Sequence, residues 1–278
     1  MQKLKTKIFI LSAIFLLTSI FFLQGCKDDT VTSPPVSTSI DTVGLTRLGF
    51  ANAPGARANV ILYMEGSLHT GYNKLYAVLF DSLTGALIED AHVIPLITDH
   101  GLGGPTEEAP EEAINGRFPF AVVFTKSSAD NIMHWSIKVG VHNHGAPGEP
   151  YGTASFGGLH ISENTGKFQK MGLLDGSTLY LSFIEPKAPV TGMNNFEFLI
   201  NKSYDSVYYA VDTSYLISLK PVLVSNGTVS TGNVNPVASG TLKHYMGKVN
   251  LTSTGTWRIN MYMTKTGYSD STYFEVGF

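Results

Sequence analysis

The sequence predicts an all-β protein made of two tandem antiparallel β-sandwiches, and three observations carry that reading. Only 15% of the 278 residues are charged, while Gly, Thr, Ser, Tyr and Val are abundant, a composition weighted towards strands and turns. Both tryptophans open runs of strict alternation, Trp135, Ile137, Val139, Val141 and Trp257, Ile259, Met261, Met263, the period-2 signature of half-buried strands. The chain also repeats itself. Phe118, Phe120, Val122 and Phe124 match Tyr245, Gly247, Val249 and Leu251 at a constant offset of 127, and Pro95 and Gly101 match Pro221 and Gly227 at 126. Thr70-Gly71 with Asn73 matches Thr191-Gly192 with Asn194 or Asn195 at about 121, and Glu65 matches Glu185 at 120. An offset that holds locally and drifts between segments is what loop insertions between retained strands produce.

The first sandwich, residues 44–143, is expected to hold strands at 60–64, 76–80, 91–97, 118–125 and 135–141, with Asp81-Ser82-Leu83-Thr84-Gly85 as a turn. The second, residues 168–278, is expected to hold strands at 178–184, 195–200, 215–219, 245–251, 257–264 and 272–276. Each is close to the roughly 100 residues of a seven-strand sandwich. One-sided alternation implies stacked antiparallel sheets. Residues 144–167, Gly-rich and carrying Pro147 and Pro150, read as a linker or long loop.

Residues 1–25 resemble a bacterial lipoprotein signal peptide. Lys3, Lys5 and Lys7 make a cationic start, residues 8–22 are mostly apolar, and Leu23-Gln24-Gly25 leads into Cys26, the only cysteine. The resemblance implies cleavage before Cys26, lipidation of its thiol and anchoring to the outer membrane; each buried methylene contributes about 0.8 kcal/mol, so two or more chains hold stably. The competing reading is an uncleaved span, since residues 8–25 fall slightly short of the roughly 20 a bilayer needs. Lys27-Asp28-Asp29 resembles the export signal that sends some gram-negative lipoproteins to the cell surface. Residues 26–43, with Pro34-Pro35 and many Ser and Thr residues, read as a flexible tether.

Composition narrows the function. Residues 1–25 carry three lysines and no acids, so the mature chain has 16 basic against 22 acidic residues, a net charge of −6. With no basic cluster, nucleic acid is excluded as an expected partner. With Cys26 lipidated no disulfide can form, and folding rests on burial of a chain that is 43% hydrophobic. No Gly-x-Ser-x-Gly elbow, His-Glu-x-x-His helix or phosphate loop occurs, and Gly101-Leu102-Gly103-Gly104 lacks the third spaced glycine of a dinucleotide site, so no enzyme is expected.

The 75–80 strand Leu-Tyr-Ala-Val-Leu-Phe, the Thr84-Gly85 turn, Glu89-Asp90-Ala91, Pro95, Gly116 and Trp135 follow one another in an order similar to the FixH/YtkA-like domain. Met193-Asn194-Asn195-Phe196-Glu197-Phe198, Asn235-Pro236-Val237 and Gly255-Thr256-Trp257-Arg258 resemble the same domain again. The resemblance implies immunoglobulin-like sandwiches, exported or membrane-linked, in a family associated with copper handling or respiratory-oxidase assembly. Related sequences carry Met and His in the loop after the shared proline. Here residues 96–100 and 222–226 contain no methionine, a departure that weakens transfer of copper binding, because Cu(I) needs soft sulfur donors.

Two places remain as candidate metal sites for copper or zinc. His100 is followed by Glu107, Glu108, Glu111 and Glu112, which would suit a harder divalent ion, although carboxylates split by Pro110 also describe a solvated loop. His142 and His144, two apart on an extended chain, point to one side and can share an ion, with His134 or His160 as further ligands. Against this stands the plain reading of polar histidines at a strand end. Met261 and Met263 continue a core stripe and need no ligand role. The sequence therefore favours a surface-anchored binding or scaffold lipoprotein, with an unidentified protein, glycan or metal as ligand, over a metal-handling one.

Overall fold

The computed structural model describes residues 40–128 and 135–278, so Cys26, most of the tether and His134 lie outside the described residues. The first module runs β1 (Leu45–Ala53), β2 (Ala58–Glu65), β3 (Gly71–Asp81), β4 (Leu87–Ile88), β5 (Ala91–Thr98), β6 (Thr106–Glu107), β7 (Phe118–Phe124), β8 (Trp135–Asn143) and β9 (Tyr151–Leu159). The second runs β10 (Phe168–Gly172), β11 (Thr178–Glu185), β12 (Gly192–Ser203), β13 (Ala210–Val211), β14 (Leu216–Leu223), β15 (Val234–Ser239), β16 (His244–Leu251), β17 (Thr256–Lys265) and β18 (Tyr268–Gly277).

The strand orders are the same. One sheet of module 1 is ordered β1-β2-β3-β7-β6 with β4 beside β3, and its counterpart in module 2 is β10-β11-β12-β16-β15 with β13 beside β12. The second sheets are β5-β8-β9 and β14-β17-β18. Register repeats as well. β3 meets β7 from Gly71↔Phe124 to Ala77↔Phe118, and β12 meets β16 from Gly192↔Leu251 to Phe198↔Tyr245, all antiparallel. The all-β class with tandem β-sandwiches follows directly from this topology.

Each sandwich closes on its own core. Trp135, Ile137, Val139 and Val141 point into one and Trp257, Ile259, Met261 and Met263 into the other, none more than 1% exposed. Period-2 geometry sends the residues between them outwards. Three expectations need correction. Residues 144–167 are not simply a linker, because β9 inside them pairs with β8 and completes the first sandwich. The stretch after Pro95 is largely strand, since β5 continues to Thr98, whereas β14 runs only two residues past Pro221, to Leu223, before a turn. Those prolines occupy equivalent strands two positions out of register: Pro95 faces Val139, four residues past Trp135, and Pro221 faces Ile259, two past Trp257.

The described residues form one compact unit, and a third apolar cluster explains why. Val123 of β7, Ile184 of β11 and Leu199 of β12 are buried together, with Tyr72 and Phe168 packed on them. Their chain neighbours Val122, Phe183 and Phe198 fill the two main cores. Alternation thus buries both faces of these strands where the modules meet, one in its own sandwich and one against the other module, which is why residues 118–124 and 198–200 are apolar without interruption.

Candidate functional site at the module junction

The polar part of the junction centres on His244, the first residue of β16 and 6% exposed. Its Nδ1 lies 2.6 Å from Glu197 Oε1 of β12, and its Nε2 lies 2.6 Å from Glu107 Oε1 of β6, in the other module. Burial pushes the imidazolium down. Hydrogen bonds to Glu107 and Glu197, together with their charges, outweigh it and raise His244 to about 9. The Tyr72 hydroxyl donates to the second oxygen of Glu107 at 2.8 Å, and its ring meets the imidazole edge-on at 5.9 Å. Burial first, and the Glu107 charge second, hold Tyr72 in its phenol form far above its usual range.

Further bonds tie the modules. The Lys187 ammonium donates to Glu65, which also accepts from the Tyr76 hydroxyl at 2.5 Å. Burial works to raise the Glu65 carboxyl, but these two donors outweigh it and hold the group below its ordinary value. Gly103 N donates to Ser206 O at 2.9 Å. The connection between modules is itself pinned: Thr70 N donates to Ser162 O and Asn164 N to Thr70 Oγ1, both at 2.9 Å, and Glu275 N donates to Gly166 O at 2.8 Å. A Cβ on Gly166, whose φ is +77°, would stand 2.9 Å from Glu275 Cβ, so both its conformation and its close approach call for glycine.

Beside these contacts the junction opens into a cleft of about 390 Å³. Lys74 enters from β3, Lys167 from the connection and Lys187 from the segment after β11, with Glu65, His69 and Asn164 between them. Burial is the main cause holding Lys167 below its ordinary value, with Glu185 opposing it. Burial likewise depresses His69, against a hydrogen bond to the Thr70 carbonyl and with help from Lys167 and Lys187.

The histidine pair foreseen at the end of β8 is real as a pair. The rings of His142 and His144 stand edge-to-face at 4.8 Å between centroids, with inward-facing Asn143 between them in the chain. Each also has an acidic neighbour: His144 Nδ1 lies 2.8 Å from Asp90 Oδ1, and His142 Nε2 lies 3.8 Å from Glu149 Oε2. His92 faces His142 across β5 and β8, and pairs with Glu108 at 2.9 Å. His100 does not join them. It sits beyond the opposite end of β5, against Asp99 at 2.7 Å, and the six residues separating the His92↔His142 pair from Thr98↔Ser136 span about 20 Å at 3.3 Å per residue. His160 follows Leu159, which faces Trp135, and so also lies at that far end. Nor do the loop carboxylates gather on His100, since Glu107 goes to His244 and Glu108 to His92. Among the described residues no group of three or more His, Cys, Asp or Glu side chains is arranged to hold a metal ion.

No local sequence pattern points to His244. Its partners Glu197 and Glu107 lie 47 and 137 residues away, and no spacing rule joins them. Lys167 and Lys187 were equally silent, being isolated lysines until the modules meet.

No protein-family model matches the chain, and no curated protein matches it. Among solved structures the chain is similar to domains 5–6 of the S-layer protein SbsC, at 8% identity and a TM-score of 0.30, covering 84% of this chain and 98% of that one. It is similar to the Escherichia coli adhesin FdeC at 13% identity and a TM-score of 0.25, covering 84% and 81%. Its similarity to the Yersinia pseudotuberculosis adhesin InvE is 14% in identity with a TM-score of 0.23, covering 87% and 61%. The fold class rests on the strand order of the chain itself.

Proposed function

We propose that the protein is a lipoprotein, anchored to the outer membrane through Cys26 and exposed at the cell surface, that acts without catalysis as a binding or scaffold module. The observation that carries the module reading is the junction: an apolar cluster, the His244 bridge and the Glu65–Lys187 pair make two sandwiches into one unit. A chain joined by a free linker would present two independent surfaces; this one presents a fixed composite surface. The anchoring rests on the order Leu23-Gln24-Gly25-Cys26 and on the Ser/Thr/Pro tether. The FixH/YtkA-like kinship belongs to the same reading and rests on the strand and turn residues around Thr84-Gly85, Trp135 and Trp257.

Metabolic labelling with a fatty acid tests the anchor. Label should appear in the parent and vanish in Cys26→Ser; equal label in both removes the lipoprotein reading. Changing Lys27, Asp28 and Asp29 to Ala should protect the protein from proteases added to intact cells, and unchanged cleavage removes the surface-export part.

A second reading, metal handling with zinc or copper, is supported by the 4.8 Å approach of His142 and His144. In it the two imidazoles take a shared ion at about 2.0–2.1 Å for zinc, with Asp90, His92 or Glu149 turning to complete the set. Calorimetric titration with Zn²⁺ and Cu²⁺ should show one stoichiometric step that disappears in the double His142→Ala, His144→Ala variant. No step in the parent leaves these histidines as strand-end polar residues.

A further inference from the structure

We propose that the cleft at the module junction binds a compact oxyanion, a carboxylate or phosphate group carried on a body about the size of one sugar residue. The proposal deepens the binding-module reading and rests on it. The cleft's volume of about 390 Å³ falls within the roughly 300–1,000 Å³ of small-ligand sites. Its charge runs against the chain's. In a protein with more acidic than basic residues, three lysines and a histidine line this cleft against one carboxylate, Glu65, among the described residues. That carboxylate is already engaged by Lys187 and Tyr76. Like charges gathered in a cleft with low-dielectric walls focus a potential that draws in the opposite sign.

Lys167 is the cation on which the cleft's charge turns. Lys126 and Lys202 each hold an aspartate, Asp99 at 2.5 Å and Asp175 at 2.8 Å, whereas Lys167 makes no ion pair among the described residues and rests over the Phe183 ring, 4.4 Å from its centroid. Glu185 acts on this half-buried ammonium only through its charge, from beyond ion-pair distance, and an anion entering the cleft offsets more of the cost of burying it. The wall opposite is rigid and polar. Asn164 Nδ2 stands 3.1 Å from His69 Nδ1, and the Asn164 backbone is fastened to Thr70. Among the described residues no arginine lines the cleft, so recognition works through point charges rather than a planar fork, and carboxylate and phosphate are both accommodated. Because Lys167 covers the Phe183 face, charge rather than ring stacking selects the ligand.

The test uses the full chain in mild detergent, titrated at low salt with D-glucuronate, D-glucose 6-phosphate and D-glucose. At least one charged sugar should bind saturably and more weakly as NaCl is added, while glucose gives no binding. The tighter of the two charged sugars identifies the oxyanion. Lys167→Gln should weaken binding tenfold or more, and the exposed Lys74→Gln should weaken it less. Lys220→Gln on β14, outside the cleft, should change nothing. A bound anion favours imidazolium, so the NMR titration midpoint of His69 should move upwards on adding the bound sugar. Glucose binding as well as the charged sugars, no binding of either charged sugar, or an unaffected Lys167→Gln variant overturns the proposal. Such a failure with fatty-acid labelling intact removes the cleft and leaves the anchored module standing; lost labelling with sugar binding intact does the reverse.

Discussion

Asn73 and Asn194 make the same three hydrogen bonds in the two modules. Asn73 Oδ1 accepts from His69 N at 3.0 Å, and its Nδ2 donates to His69 O at 2.7 Å and Gly71 O at 2.8 Å. Asn194 Oδ1 accepts from Val190 N at 2.8 Å, and its Nδ2 donates to Val190 O at 2.7 Å and Gly192 O at 2.9 Å. Each closes the turn into its strand beside a glycine of positive φ, Gly71 at +89° and Gly192 at +101°. This settles the match that the sequence left open between Asn194 and its neighbour.

Replacing either asparagine with Ala should therefore cost about 2–3 kcal/mol, since backbone groups lose partners in a buried setting. Asn195→Ala, at an exposed position, should stay within about 0.5 kcal/mol. Urea midpoints of the three variants check the contrast. Equal effects at 194 and 195 would show that the bracing contributes nothing.

Trp135 and Trp257 lie near the start of β8 and β17. Each indole also donates to a carbonyl, Lys126 O at 3.1 Å and Ser253 O at 2.9 Å. Truncation of either to Ala should cost about 3–5 kcal/mol, enough to threaten its sandwich. Trp→Phe, which keeps most of the packing and loses the hydrogen bond, should cost less. Thermal unfolding followed by circular dichroism ranks them, and an Ala variant as stable as the parent would contradict the buried packing described for both rings.

Gly55 and Gly152 bring the turn at Pro54–Ala56 against β9. A Cβ on Gly152 would stand 2.4 Å from Ala56 N, and one on Gly55 would stand 2.3 Å from Tyr151 O. The obstacles are backbone atoms and cannot swing away, so Gly152→Ala should destabilise the protein by about 1–3 kcal/mol. Gly157→Ala, with open space around it, should not do so by overpacking. Denaturant midpoints decide it. A tolerated Gly152→Ala would return this segment to the status of a loose linker.

The parts of the fold visible in the sequence are those written in local pattern. The Trp135 and Trp257 stripes show their inward face by alternation alone. Asp81 announces its turn through a side chain that accepts from Leu83 N and Thr84 N, both at 2.9 Å, followed by Gly85 at φ +73°. β9 escaped because an edge strand with Gly157 and Gly158 buries only Ala154, Phe156 and Leu159, too weak a stripe to separate from a loop. The same-side placement of His142 and His144 was legible for the reason that Trp135 was, but the positions of His92 and Asp90 depend on which strand β8 pairs with. The junction was illegible because its partners are joined only by the packing of two sheets that had first to form.

That packing gives the junction a pH dependence. His244 has an ordinary value of 6.5 in the unfolded chain and about 9 when held between Glu107 and Glu197, so the folded state keeps a proton that the unfolded state releases. Its contribution is fully present below pH 6.5, declines as pH rises, and is lost above about 9, amounting to at most about 3 kcal/mol. His69 acts in the opposite sense, because its depressed value costs stability as pH falls below 6.5, so the comparison must isolate His244. The difference in urea stability between the parent and His244→Gln does so. It should be largest near pH 6 and shrink steadily towards pH 9.5, with an uncharged amide left to bridge two carboxylates in the variant. A difference that stays constant across this range would mean that His244 joins the modules as a neutral ring and that the bridge carries no charge.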